Sequence, residues 1–209
     1  AQKGSIRVTL RAQGQPGHAS IPHGDQAVAR LARAVSRLTA GPLPLHVIPT
    51  VRRFITILAN TQSRAQRALL LQTLNPLLSE ALLARLPDRD IANAIRAFLH
   101  NTATPTILRA GTALNVIPSE ATAQVDCRII PGTTPASLTA ELRQRIPDPA
   151  IAIEAEPLAP GYEMQPTPLF SAIQAAVARH DPRAIVAPYL FPAVSDSRFL
   201  APRGITAYG

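Results

Sequence analysis

A histidine held between glycine and proline residues is the first group in this sequence whose type and position could do chemistry. His18 lies in residues 14–22, which read GQPGHASIP. Glycine and proline favour a sharp connection, so we expect the imidazole at the mouth of a loop. An imidazole donates a hydrogen bond whether neutral or charged, which suits work near neutral pH. A single loop histidine is more often a solvated turn residue, and spacing alone leaves both interpretations open.

Two polar residues further along have side chains suited to binding a substrate. Asn115 opens the stretch NVIPSEA, and Arg128 closes the stretch DCR. The Asn115 amide can donate and accept hydrogen bonds, and the planar guanidinium of Arg128 can hold a carboxylate through two of them. The competing interpretation of Arg128 is a surface arginine paired with Asp126. The residues alone do not decide between the two.

Taken together, these stretches resemble the lid (dimerisation) domain of the M20 family of zinc peptidases, whose members include carboxypeptidases, aminoacylases and desuccinylases. The motifs G-x-P-G-H-A-S-x-P, N-V-I-P-S-E-A and D-C-R follow one another in the family's order. The resemblance covers essentially the whole chain. It implies hydrolysis of an amide bond next to a free carboxylate, with one or two zinc ions.

The resemblance also implies roles for the three side chains. His18 corresponds to the lid histidine that reaches across a dimer and steadies the oxyanion in the partner's active site. A preorganised N–H donor at the point where charge develops is what such a step needs. Asn115 is implied to bind substrate, and Arg128 is implied to anchor its terminal carboxylate.

The end of the chain resembles the family's return to its catalytic domain, where a G-G-T-D-S-R-F loop precedes a G-I-x-A-Y-G strand. Ser195, Asp196 and Arg198 are thereby implied to line the same cleft. Residues 193–194 read Ala-Val where two glycines are usual, which would change the backbone geometry of that loop. Asp196 would equally serve as the N-cap of a helix beginning near Phe199.

The zinc ligands are implied to lie elsewhere in the protein. The family uses an H-x-D, an aspartate, a Glu-Glu pair, a further acidic residue and a late histidine, and this chain has no Glu-Glu pair. By the family's order, most ligands precede residue 1 and the last histidine follows residue 209. We therefore expect no catalytic zinc and no turnover in this segment alone. The single cysteine, Cys127, excludes an internal disulfide and is expected to be a buried small hydrophobe.

Composition weighs against two other classes of protein. The net charge of +8 comes almost wholly from arginine, since Lys3 is the only lysine. The arginines are scattered, aromatic residues make up 4%, and there is no tryptophan to stack on bases. A basic nucleic-acid-binding domain is thus the weaker alternative, and we expect no nucleic acid. No apolar run reaches the roughly 18 residues of a membrane span, and the opening Ala1 looks like an interior cut that leaves localisation open.

Hydrophobic periodicity predicts an α+β fold. Alternating residues predict strands, and one helix is expected to begin near Asp25 as its N-cap and to carry Ala27, Val28, Leu31, Val35 and Leu38 on one face. A second helix is expected at residues 135–146, and the strands are expected at residues 5–13, 104–109, 122–130 and 151–156. This order is the βαββαβ pattern of a ferredoxin-like sandwich, which the resemblance also implies.

A helical insertion is expected at about residues 45–100. Within it, residues 47–58 suit a strand or a loop, and Asn75 and Asp88 would cap two helices. The predicted helices are residues 63–74, 76–86 and 88–99, whose many leucines would form a core or a partner surface. We expect residues 1–157 to be the lid and residues 158–209 to be part of the catalytic domain, with a helix at 168–179 and a buried strand at 184–191.

These features favour a fragment of a zinc-dependent amide hydrolase that acts on peptides or N-acyl amino acids. The fragment would supply dimerisation through the lid, substrate-carboxylate binding and an oxyanion-stabilising histidine. The alternative is a non-enzymatic interaction module that keeps only the dimer-forming surface.

Overall fold

The protein is built around one antiparallel sheet with helices on one face. The computed structural model describes residues 1–208. The four strands lie in the order β3-β5-β1-β6, and every neighbouring pair is antiparallel. The strands of this sheet are β1 (Gly4–Gln13), β3 (Thr102–Ala110), β5 (Glu120–Ile129) and β6 (Ile151–Ala159), and a two-stranded ribbon is formed by β2 (Gly17–His18) and β4 (Val116–Ile117).

Two helices cover one face of the sheet, as predicted. They are α1 (Ala27–Thr39), between β1 and β3, and α6 (Pro135–Arg145), between β5 and β6. The connectivity is thus β-α-β-β-α-β, which confirms the predicted α+β fold. The buried face of β1 consists of Ile6, Val8, Leu10 and Ala12, and that of β5 includes Ala123, Val125, Cys127 and Ile129. Each large apolar side chain buried here contributes about 1.5–3 kcal/mol.

The start of α1 differs from the prediction. The N-cap residue is Gln26, because the carboxylate of Asp25 instead pairs with Arg30 at 3.0 Å. Val28 is exposed, and Ala34 takes its place on the buried face. The buried positions 27, 31, 34 and 38 follow the i, i+4, i+7, i+11 spacing of one helical face, and Val28 lies about 100° around the helix from Ala27.

The insertion consists of four helices joined by turns. Residues 47–58, for which the sequence favoured a strand or a loop, mostly form a helix with Pro49 in its first turn and Val51, Ile55 and Ala59 buried at intervals of four. Asp88 caps the last helix as predicted, accepting from the backbone N–H groups of the second and third residues after it. The helices are α2 (Pro49–Asn60), α3 (Arg64–Gln72), α4 (Ser79–Leu83) and α5 (Arg89–Leu99).

Only residues 79–83 of the helix predicted at residues 76–86 are helical. Asn75 does not cap a helix, because its side chain closes a tight turn onto the backbone N–H of Leu77, and α4 begins only at Ser79. The leucines divide between two roles: Leu83 is buried in a second core with α2 and α5, whereas Leu69 and Leu77 are exposed. Among the described residues, no helix is long and apolar enough to cross a membrane.

The C-terminal segment contains less regular structure than expected. Helix α7 (Pro168–His180) confirms the prediction for residues 168–179, and α8 (Ser197–Leu200) and a 3₁₀ turn (Ala201–Arg203) follow. Residues 184–191 are not a strand; only Phe191 forms a single bridge, to Gln2. The backbone hydrogen bonds of Tyr189 and Phe191 go to Ala1 and Lys3, which precede β1, so among the described residues no strand lies beside this segment for it to pair with. Gly209 lies outside the described residues.

Candidate functional site

The loop that carries His18 is fixed by the second motif. His18 in β2 pairs with Val116 in β4, and the N–H of Ala19 donates to the carbonyl of Asn115 at 2.9 Å. The two stretches that the sequence singled out, far apart in the chain, are therefore neighbours. The structure brings His18 and the Asn115 turn together at one end of the sheet.

Glycine is required where the loop leaves β1. A Cβ on Gly14 would lie 2.5 Å from the backbone nitrogen of Ala27 and 2.8 Å from the carbonyl oxygen of Asp25. The Gly14 N–H also donates to Ser119 at 2.9 Å. The first glycine of the motif thus lets the loop pack directly on the start of α1, which gives His18 a firm base.

The His18 ring is exposed and held from one side only. Its Nδ1 lies 2.7 Å from the Ser20 hydroxyl and 3.3 Å from the Ser20 backbone N–H, which donates to it. Among the described residues, Nε2 has no hydrogen-bond partner. The arrangement presents one ring nitrogen outward.

A second histidine supports this loop, although the sequence gave it no role. His23 packs beneath Gly17, where an added Cβ would lie 3.3 Å from its Nε2, and both ring nitrogens are buried without a partner within residues 1–208. His23 and Asp25 also have the H-x-D spacing of the family's metal ligands, a pair that we did not expect in this chain. Asp25 pairs with Arg30 at 3.0 Å, and no third His, Cys, Asp or Glu of the described residues joins His23 and Asp25 in a metal-binding group.

Arg128 lies at the other end of the sheet. It faces Ser5 in β1 and Thr102 in β3, whereas Glu120, at the start of the same strand, faces Gln13 beside the His18 loop. The eight-residue separation of Glu120 and Arg128 corresponds to roughly 26 Å at about 3.3 Å per residue. Arg128 and His18 of one chain therefore cannot contact the same small group.

The Arg128 guanidinium makes the surface pair that the sequence offered as an alternative. Its Nε and Nη2 donate to one carboxylate oxygen of Asp126, at 3.1 and 2.9 Å. The side chain remains 36% exposed. It is therefore both paired and accessible, and an incoming carboxylate would compete with Asp126.

The predicted residues of the C-terminal loop lie near β1. The Ser195 hydroxyl donates to Gln2 Oε1 at 2.5 Å, and the buried Gln2 amide nitrogen has no partner in the described part of the chain. Asp196 occupies the N-cap position of α8 but makes no side-chain cap hydrogen bond. Arg198 lies over the ring of Phe199 at 4.6 Å. Neither Asp196 nor Arg198 forms a hydrogen bond or ion pair with Arg128 within residues 1–208.

The end of the sheet that carries Arg128 also contains two buried basic side chains, Lys3 and His100, whose burial was not predicted from the sequence. Lys3 is fully buried, and its Nζ donates to the backbone carbonyl of His100 at 2.7 Å. Burial, and secondarily the charge of Arg128, lowers the pKa of Lys3 to about 7. Burial also lowers the pKa of His100, despite its hydrogen bond to Leu43. The only feature of the sequence that set Lys3 apart is that it is the single lysine in an arginine-rich chain.

Metal ligands do not cluster in this part of the protein. Among the described residues, no group of three His, Cys, Asp or Glu side chains converges on a common point. Cys127 is buried, and burial raises the pKa of its thiol to about 12, so it stays protonated as a small apolar side chain. No step of catalysis can therefore be assigned to a metal bound by these residues.

Comparison with known proteins places the domain. A sequence profile described as the peptidase dimerisation domain (M20_dimer) matches residues 1–154. The chain therefore belongs to the M20 peptidase dimerisation-domain family.

Its relatives include proteins named as a fatty-acyl-amino acid synthase/hydrolase and as a probable carboxypeptidase. The chain is 35% identical over 135 residues to the human N-fatty-acyl-amino acid synthase/hydrolase PM20D1, covering 64% of this chain and 26% of that protein. It is 28% identical over 206 residues to the probable carboxypeptidase S-like 2 of Dictyostelium discoideum, covering 94% of this chain and 37% of that protein. The chain thus spans well under half the length of these relatives.

Solved structures agree on the fold. The M20 family metallo-carboxypeptidase Sso-CP2 from Sulfolobus solfataricus superposes with a TM-score of 0.57 at 17% identity, over 97% of this chain and 56% of that one. The di-peptidase Dug1p from Saccharomyces cerevisiae superposes with a TM-score of 0.55 at 13% identity, over 98% of this chain and 46% of that one.

Proposed function

We propose that this chain is the dimerisation region, with part of the catalytic domain, of a zinc-dependent hydrolase that cleaves peptides or N-acyl amino acids. The proposal rests mainly on one observation: the loop that carries His18 and the turn that carries Asn115 lie side by side, and the His18 imidazole is exposed. The His18 loop is pinned to the Asn115 turn by a β-bridge and a backbone hydrogen bond. Such rigidity is what an electrostatic catalyst requires, because a preorganised donor needs no rearrangement when charge appears.

His18 is the proposed oxyanion donor. Its Nε2 is free within the described residues, and its exposure leaves it accessible to a second molecule. An N–H donor aimed at the carbonyl oxygen would stabilise the negative charge of the tetrahedral intermediate. Asn115, on the adjacent turn, is proposed to hold the substrate through its side-chain amide.

Arg128 is the proposed anchor for the substrate's free carboxylate. The roughly 26 Å between its strand position and the His18 end is far longer than the few bonds between a scissile amide and the neighbouring carboxylate. One substrate can meet both residues only if they come from different chains. The sheet geometry therefore supports donation of His18 in trans.

A dimer contact is available on the sheet itself. The outer edge of β3 has no neighbouring strand among the described residues, and Ile107 and Leu108 are exposed on it. Each edge strand contains one proline, Pro105 in β3 and Pro157 in β6, but only β6 also carries acidic residues, Glu154 and Glu156, which oppose strand pairing. We assign the homodimer contact to the β3 edge.

The remaining predicted residues fall in the proposed catalytic-domain segment, residues 158–209. Ser195, Asp196 and Arg198 follow directly on the contacts with Gln2, at the Arg128 end. They are proposed to line the cleft served by Arg128 of the same chain. The zinc ligands are proposed to come from residues outside this chain.

Hydrolysis assays on the full-length protein test the proposal. We expect release of free amino acid from N-acyl amino acids or dipeptides, abolished by removal of zinc and restored by its return. A dimeric, zinc-free protein that cleaves neither substrate class would instead favour the interaction module. Amidated substrates provide the control for carboxylate recognition.

A further inference from the structure

Ser20 lies two residues after His18 and contacts the imidazole twice. The backbone N–H of Ser20 donates to Nδ1 at 3.3 Å, and its hydroxyl oxygen lies 2.7 Å from the same atom. A backbone N–H can only donate. The nitrogen that receives it must therefore offer a lone pair rather than a hydrogen.

This contact decides where the proton of a neutral ring resides. If Nδ1 carried hydrogen, that hydrogen would face the Ser20 N–H, and two donors would meet. The Ser20 hydroxyl can rotate its hydrogen toward Nδ1 and reinforce the same arrangement. The proton is thus confined to Nε2, the nitrogen that faces outward.

We propose that Ser20 is a positioning residue that fixes His18 in the Nε2–H tautomer. The effect of this tautomer on catalysis depends on the proposed function, whereas the tautomer itself does not. In that role His18 must donate to an oxyanion, and only a protonated Nε2 can do so from the exposed side of the ring. The hydrogen bond made by one ring nitrogen of a histidine commonly decides whether the other nitrogen carries the proton.

Two substitutions separate the hydroxyl's part from general damage to the loop. Ser20→Ala removes the 2.7 Å contact and leaves the longer backbone contact, whereas Ser20→Thr keeps a hydroxyl. Ser36→Ala, which removes an exposed hydroxyl on α1, is the matched control.

Nitrogen-15 NMR of histidine-labelled full-length protein reads the tautomer directly, with the His18 signal assigned by its loss in His18→Ala. We expect a protonated Nε2 in the wild type and in Ser20→Thr, and a smaller fraction of the Nε2–H tautomer in Ser20→Ala, where only the longer backbone contact remains. For Ser20→Ala, we expect kcat to fall about threefold to tenfold with KM unchanged, while Ser20→Thr stays within about twofold of wild type.

The two readouts distinguish failure of this inference from failure of the proposed function. A wild-type ring protonated at Nδ1, or a Ser20→Ala protein with unchanged signals and kcat, would overturn the role of Ser20. If the tautomer shifts in Ser20→Ala but the wild-type protein hydrolyses no amide, the positioning role is supported and the proposed function is lost.

Discussion

The two ends of the sheet differ in how they hold their polar side chains. At one end, His18 is exposed on a loop fixed by backbone hydrogen bonds and by the close packing of Gly14. At the other end, Arg128 lies beside a fully buried Lys3 and close to the C-terminal segment. The polar side chain at the first end is exposed to other molecules, whereas those at the second end mainly contact residues of their own chain. The proposed site, which uses both residues, would therefore be completed by two copies of the chain.

The largest effect is expected from removing the exposed imidazole. His18→Ala in the full-length enzyme should lower kcat by about a hundredfold to a thousandfold, the usual cost of losing an oxyanion donor. Zinc content and thermal stability should not change, because the ring is exposed and its hydrogen bonds within residues 1–208 go only to Ser20. Steady-state kinetics and metal analysis check this, with exposed His180→Ala as the control. Loss of zinc would mean that His18 is a ligand instead.

Removing the guanidinium at the other end should weaken binding rather than chemistry. Arg128→Ala is expected to raise KM about tenfold to a hundredfold for substrates with a free carboxylate, the loss expected for a charged hydrogen-bonding pair. Amidated analogues should be affected little. Arg7→Ala, which removes a surface arginine paired with Glu156, is the control. Equal losses for both substrate forms would contradict the anchor role.

The rigidity of the His18 end depends on one glycine. Gly14→Ala should reduce the free energy of unfolding by about 1–3 kcal/mol, since the new Cβ would overlap backbone atoms of Asp25 and Ala27. Gly24→Ala, in the same loop but with open space around it, should be close to neutral. Thermal melts of both variants make the comparison. Identical melts would show that the loop is not held by this contact.

Burial of Lys3 should make the free energy of unfolding depend on pH. The pKa of Lys3 is about 7 in the folded chain against 10.5 in the unfolded chain, so the unfolded state binds more protons between these values. Stability should therefore rise from pH 7 toward pH 10, by about 1.4 kcal/mol per pH unit from this group. Lys3→Met should flatten the rise in denaturant titrations at pH 7 and 9. An unchanged slope would contradict burial of the amine.

Local patterns predicted β1 and β5 because each of these strands has one buried apolar face. The alternation of Ile6, Val8 and Leu10 was sufficient to place β1 and its buried side. The same reasoning failed for α2, where β-branched residues, a proline and two arginines suggested a strand or a loop although Val51 and Ile55 are spaced for a helix. The strand predicted at residues 184–191 was wrong for a different reason, since an apolar segment becomes a strand only beside other strands.

The site was predictable only in part. The motif order identified His18 and Asn115, and their proximity follows from the β2–β4 bridge. Nothing in the sequence showed that Arg128 lies at the far end of the sheet, because that depends on strand register. The contacts of Ser20 and Lys3 depend on three-dimensional packing and were likewise not predicted.

Complementation between two inactive variants tests the central claim most directly. Full-length His18→Ala and Arg128→Ala proteins are mixed under conditions that exchange subunits. If His18 acts in trans, a mixed dimer has one intact site, and random mixing should restore about a quarter of wild-type activity. If both residues serve the same chain's site, every site in the mixture carries one defect, and activity should stay at the level of the separate variants.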